Sequence, residues 1–156
     1  MRVVIGAVGR LKSCPESTLV DDYLLRFART GRPLGLGPCD VREVDERKAT
    51  QPARQAKALE KLIAPGSLTI ALDERGKSRS STEFAHDLAA WRDNGQPEVI
   101  FMIGGADGLD TTIRHRADQS MSFGKMVWPH ILVRVMLAEQ LYRAATILAG
   151  APYHRA

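Results

Sequence analysis

Past a helix stop at Gly150 the chain ends in Pro152, Tyr153, His154, Arg155 and Ala156, which sets an aromatic ring, an imidazole and a guanidinium side by side. A tyrosine ring can stack on a nucleobase, a guanidinium can pair with phosphate or base edges, and an imidazole can move a proton near neutral pH. A second stretch, residues 103–109 (IGGADGL), carries Gly104, Gly105 and Gly108. Without Cβ atoms these glycines let backbone amides approach a ligand closely, although a purely structural tight turn is the competing reading. The stretch is not GxGxxG after a first strand, and no GxxxxGK followed by Ser or Thr occurs, so neither a Rossmann dinucleotide site nor a P-loop is expected. The third stretch is LDERGK, residues 72–77. Cys14 and Cys39 stand alone, which excludes a disulfide framework and a zinc site built on paired CxxC motifs, so no metal is expected.

These segments need elements to hold them, and the periodicity supplies alternating strands and helices. Strands are expected at Arg2–Val8, 40–44, 67–72, Glu98–Ile103 and 120–123. Helices are expected from Pro15, from an N-cap at Thr50 with Pro52 in the first turn, and from a capping box of Ser80 and Glu83. A short helix near 110–117 and a long one over 129–149 complete the series, and the Gly/Pro-rich residues 30–38 read as a loop. Alternation of this kind implies an α/β domain with a mainly parallel sheet and helices on both faces, formed by residues 1–156 as one unit. The run EVIFMI (residues 98–103) is the most apolar strand and belongs at the sheet centre. Ligands of such sheets bind at the carboxyl ends of strands, so the segments after Leu72, Ile103 and Phe123 are the candidate site.

The chain has 156 residues and a formal charge of +4, which permits an acidic partner such as RNA without demanding one. The excess is local: residues 110–156 carry six Lys/Arg against three acids, and three of the four histidines. A bias of this size is also what an ordinary solvated face shows. No stretch reaches the ~20 apolar residues needed to span a bilayer, and the N-terminus reads as a strand rather than a signal peptide. A soluble, cytoplasmic protein is therefore expected, with no membrane partner. The final helix is apolar around most of its circumference, broken only by Arg134, Glu139, Gln140, Arg143 and Thr146. A helix on a monomer's outside should show one apolar stripe, so this one implies a second covering surface and hence a homodimer, or else burial within the monomer.

Taken together, the LDxxGK segment, the GGxxG turn and the ending PH–helix–EQLYRA–PYHRA resemble the RlmH family of small SPOUT-class methyltransferases. The resemblance spans the chain and is most specific over residues 120–156. It implies a C-terminal trefoil knot, one of the rare exceptions to unknotted folds. It also implies S-adenosylmethionine as methyl donor, held by Leu72, Gly104, Phe123, Gly124, Lys125, Met126, Val127 and Trp128. The implied reaction is methylation of N3 of a pseudouridine in helix 69 of 23S ribosomal RNA within the assembled ribosome. Tyr153, His154 and Arg155 become the candidate catalytic residues, contacting the base and handling its charge, with Arg134 and Arg143 as further charge stabilisers unless they merely pair with Glu139. Within the knot segment Val127 stands where a threonine is common. Two other readings stay open: a SPOUT methyltransferase acting on transfer RNA, and a noncatalytic ribosome-maturation factor.

Overall fold

The computed structural model describes residues 1–155; Ala156, the end of the candidate tail, lies outside the described residues. Five strands form one sheet: β1 (Arg2–Val8), β2 (Cys39–Val44), β3 (Leu68–Ser78), β4 (Glu98–Ile103) and β5 (Gln119–Ser122), in the order β2-β1-β4-β3-β5. Each neighbouring pair runs parallel. The strand EVIFMI is the central one and every residue of it is buried, as its composition requires of a strand covered on both faces.

The helices are α1 (Pro15–Gly31), α2 (Pro52–Glu60), α3 (Ser81–Asp93), α4 (Thr111–Arg116) and α5 (His130–Leu148). Phe27 of α1, Phe84 and Leu88 of α3, and Leu137 and Leu141 of α5 cover one face with Val3, Ile5, Phe101 and Ile103. Ala56 and Leu59 of α2 and Ile113 of α4 cover the other with Val4, Val8, Ile100 and Met102. Alternate residues of each strand thus feed opposite cores, the period-two pattern of a sheet buried on both sides. The Ser80 hydroxyl caps α3 by accepting from the Glu83 amide at 3.2 Å, and the Ser80 amide donates to the Glu83 carboxylate at 2.7 Å.

Three expectations are corrected. The N-cap of α2 is Gln51, not Thr50. Residues 30–38 are not all loop: α1 runs through Gly31 and a 3-10 turn takes Arg32–Leu34. The remainder buries Leu36, only 1% exposed, in the core at the sheet edge where β1 begins, and Gly37 N–H donates to the Met1 carbonyl. The third correction is that β3 does not stop at Leu72. It leaves β5 there, then rejoins it with a shifted register at Lys77 and Ser78. Gly76 permits the return, because a Cβ there would sit 2.6–2.8 Å from the Met121 backbone. The glycine of LDERGK is thus explained by a close backbone crossing.

Candidate functional site

Parallel strands bring their carboxyl ends to one edge, and there the segments following β3, β4 and β5 enclose a cleft of about 650 Å³. Seven of the eight expected donor residues line it: Leu72, Gly104, Phe123, Gly124, Met126, Val127 and Trp128. Lys125 is exposed and not part of the lining. Met126, Val127 and Trp128 form a solvent-facing apolar lip, 71%, 83% and 39% exposed. Residues that sequence reasoning passed over also line it, notably Asp73 and Glu74 from the β3 bulge, Asp107 from the glycine turn, and His130 and Val133 from the first turn of α5. Only position could have found Asp73, which directly follows Leu72 at the strand edge.

The glycine turn closes through Gly108 N–H donating to the Gly105 carbonyl at 3.0 Å, with Gly108 at φ +77°. Gly104 serves this closure itself. A Cβ there would overlap the Gly108 carbonyl group and lie 2.5 Å from the Leu109 nitrogen. A valine at 104 would therefore strike backbone before it met any ligand, so the glycine serves the turn itself. After β5 the Ser122 hydroxyl accepts from the Gly124 amide at 3.1 Å and donates to the Gly124 carbonyl at 2.8 Å, shaping the start of the lip.

The tail lies elsewhere. Tyr153 rests on Tyr142, ring centroids 4.6 Å apart, and its hydroxyl donates to the Glu139 carboxylate at 3.0 Å. Arg143 donates to the same carboxylate, spans the Tyr153 ring at 4.9 Å and reaches Nδ1 of His154 at 3.3 Å. Burial, then the neighbouring Glu139, push the Tyr153 phenol up, so it stays protonated and acts as a donor. Hydrogen bonding to Glu139 raises Arg143 further above its ordinary value. Arg155 is exposed. His130 at the cleft and Arg143 at the tail are thirteen helical steps apart, roughly 20 Å at 1.5 Å per residue. None of Tyr153, His154 and Arg155 lines the cleft of the same chain.

Arg143 is thus paired with Glu139, but Arg134 is not. Its side chain is 1% exposed and its guanidinium donates to Glu43 at 2.8 Å and to the carbonyls of Val8 and Gly9 at 2.5 and 2.7 Å. Burial pulls its pKa down while Glu43 pulls it back up, so it is a clamp tying the start of α5 to the ends of β1 and β2. Most of the apolar circumference of α5 is covered inside the chain, by α1, α3 and the sheet; Leu132, 38% exposed, is its most open large apolar residue. The helix alone therefore does not require a second protomer.

Comparison with known proteins places this architecture. The family described as "Predicted SPOUT methyltransferase" matches residues 1–154. Proteins named "Ribosomal RNA large subunit methyltransferase H" from Ruegeria pomeroyi and Cereibacter sphaeroides are 59% and 60% identical over 155 residues, covering 99% of both chains in each case. The chain belongs to the SPOUT methyltransferase family. A solved SpoU methyltransferase, AviRb from Streptomyces viridochromogenes in complex with AdoMet, is 14% identical with a TM-score of 0.42, covering 97% of this chain and 58% of that one. That likeness is too loose to carry an argument.

The cleft has chemistry suited to the sulfonium donor of a SPOUT methyltransferase. Apolar walls from Leu72, Ile103, Met121 and Val133 and the backbone edges of residues 104–108 suit an adenine ring. Asp73, Glu74 and Asp107 supply negative charge suited to a cationic sulfonium and ammonium. Asp73 is held in place by the Arg75 amide at 2.9 Å and by Arg114 at 3.6 Å. Among the described residues there is no group of three or more His, Cys, Asp or Glu that could hold a metal ion, and no helix long and apolar enough to cross a membrane.

Proposed function

We propose that the protein transfers the methyl group of S-adenosylmethionine to N3 of a pseudouridine in helix 69 of 23S ribosomal RNA, in the cytoplasm, acting on assembled ribosomes. The full-length likeness to proteins named as large-subunit ribosomal RNA methyltransferases carries this reading. The strand-end cleft supports it, with seven of eight expected donor residues in its wall. The donor supplies an electrophilic methyl on sulfur, and the chain's task is to hold that methyl in line with the acceptor nitrogen. Leu72, Gly104 and residues 123–128 hold the donor, and the segment from β5 to α5 forms the trefoil knot.

The acceptor side is completed by a second copy of the chain. Tyr153, His154 and Arg155 sit roughly 20 Å along α5 from the cleft, too far to serve it in the same protomer. A homodimer solves this by presenting one protomer's tail to its partner's cleft. The apolar lip of Met126, Val127 and Trp128, together with exposed Leu19, Leu25 and Leu132, offers surface for that contact. Tyr153 then stacks on the base as a neutral phenol, and Arg155 meets phosphate.

The test is incubation with labelled donor and free ribosomal RNA, isolated large subunits, whole ribosomes or transfer RNA, followed by mapping of the modified nucleotide. Labelling of one pseudouridine in ribosomes is the expected result. Labelling of transfer RNA alone would replace the substrate, and donor binding without transfer to any RNA would make the protein a noncatalytic factor.

A further inference from the structure

Next to the donor cleft lies a polar junction around the buried Gly9 that neither the donor residues nor the tail accounts for. Gly9 follows β1 with φ +86°, in the left-handed region that favours glycine. A Cβ at Gly9 would sit 3.3 Å from Oε2 of Glu46, 3.6 Å from the Arg134 guanidinium and 3.7 Å from Nε2 of His130. A carboxylate, a guanidinium and an imidazole thus converge on Gly9, and glycine is what lets them pack so closely. Of the three, only His130 also lines the cleft, so the junction reaches the cleft through its ring.

Removing a proton from a ring nitrogen beside the donor needs a group in reach, with a free lone pair at working pH and compensation for the charge it gains. His154 fails the second requirement. An arginine can only donate, so its contact with Nδ1 of His154 occupies the acceptor nitrogen of the neutral ring. His130 meets all three. Its burial lowers its pKa below the ordinary 6.5, the Arg134 charge lowers it further, and Glu46 opposes them. It is therefore neutral near pH 7, and the exposed Glu46 carboxylate can stabilise the imidazolium once formed. The charged groups around it are Arg134 on its own helix and Glu46 on the loop after β2, with Asp73, Glu74 and Asp107 across the shared cleft.

We propose that His130 is the catalytic base, taking its proton from the imide edge of an acceptor ring that enters the cleft. The inference rests on the methyltransferase reading above. The imide proton passes to the lone pair of a His130 ring nitrogen, and the N–H electron pair stays on the ring nitrogen. That nitrogen bonds the methyl carbon as the carbon–sulfur bond breaks, its electrons going to sulfur. One positive charge leaves the sulfonium and one appears on His130, facing Glu46.

His130→Gln keeps a polar side chain of similar reach and removes the basic lone pair. Three measurements test the proposal: donor affinity by calorimetry, single-turnover methylation of ribosomes at saturating donor across pH, and NMR titration of the His130 ring in the donor-free protein. Donor affinity is expected to hold within about threefold, because a base acts on the acceptor. The rate should fall by roughly a hundredfold to ten-thousandfold, the usual worth of a positioned base. The wild-type rate should rise with pH to a plateau through a group titrating below 6.5, matching the ring titration, and the variant should lack that rise. An active wild type beside a His130→Gln protein within threefold of its rate, with the same pH profile, overturns the base assignment alone. A ring titrating at or above 6.5 also overturns it. A wild type that labels no RNA overturns the methyltransferase reading and takes this inference with it.

Discussion

Replacing Arg134 by methionine should cost stability out of proportion to a single side chain. Methionine matches the length of the buried stem and fills its space, so the loss isolates the charge and its bonds. Three bonds disappear: the ion pair to Glu43 at 2.8 Å and the donations to the Val8 and Gly9 carbonyls at 2.5 and 2.7 Å. Breaking one side of a buried pair costs about 3–5 kcal/mol, and the lower end applies here because the Glu43 side chain keeps 24% of its exposure and can recruit water. Two carbonyls losing a charged donor add about 1–3 kcal/mol for the less hydrated of them. A loss of about 4 kcal/mol in a domain worth about 5–15 leaves the protein folded but shifts its denaturation midpoint clearly. Adding Glu43→Gln should recover part of that loss. It removes the stranded carboxylate charge and keeps an oxygen for the Leu11 amide, now bound at 2.8 Å. Denaturant unfolding with an unchanged slope is the assay. A single-variant loss below about 1 kcal/mol, or a double variant no better than the single, refutes the clamp.

Gly104→Ala should lower stability by about 1–3 kcal/mol and weaken donor binding with it, since the new Cβ meets backbone; donor binding lost at unchanged Tm would mean a direct ligand contact instead. Deleting residues 152–156 removes the Tyr153–Glu139 bond and the Tyr142 stacking, about 1–2 kcal/mol, but should cut single-turnover methylation by a hundredfold or more at saturating donor; near wild-type turnover would remove the tail from the acceptor site. Light scattering at micromolar concentration should report twice the 17.2 kDa chain mass, and a monomer there would leave the tail no route to a cleft. His130 has a folded pKa below its ordinary 6.5, so the unfolded chain binds its proton first as pH falls. Its stabilising contribution should therefore be complete above pH 6.5 and vanish as pH drops through the folded value; a His130→Gln protein with an equally steep loss in that window would contradict the shift.

Local sequence carried the architecture because its signals act over one element. The all-buried run of β4, the Ser80–Glu83 box and the apolar spacing of α1 each depend on neighbours within a turn or two. The cleft followed from topology, since parallel strands must bring the segments after Leu72, Ile103 and Phe123 to one edge. What could not be read shares one physical cause, a partner distant in sequence. Arg134 sits in an apolar helix whose one carboxylate, Glu139, pairs with Arg143, and its own partners lie 91 to 126 residues earlier. The charged ERGK run looks like a loop until the backbone of Met121 is placed against Gly76. The tail looks free because Tyr153 and Glu139, 14 residues apart, meet only once α5 ends and the chain reverses.

The same distance rule explains why His130 and Arg134 have opposite uses although one helical turn separates them. Arg134 points at the closed ends of β1 and β2, where every hydrogen bond it makes is to the chain itself, and burial leaves it no room for a ligand. His130, one turn earlier, stands where that packing opens into the cleft and is only half-buried. Gly9 links the two: its carbonyl is held by Arg134, and its lack of a side chain lets His130 and Arg134 pack against the same backbone. The clamp thus sets the position of the imidazole. A loosened clamp should therefore lower the methylation rate even at saturating donor, where weakened donor binding no longer counts. Arg134→Met assayed well below its unfolding midpoint tests this: a full wild-type rate would mean that His130 is placed by its own contacts rather than by the clamp.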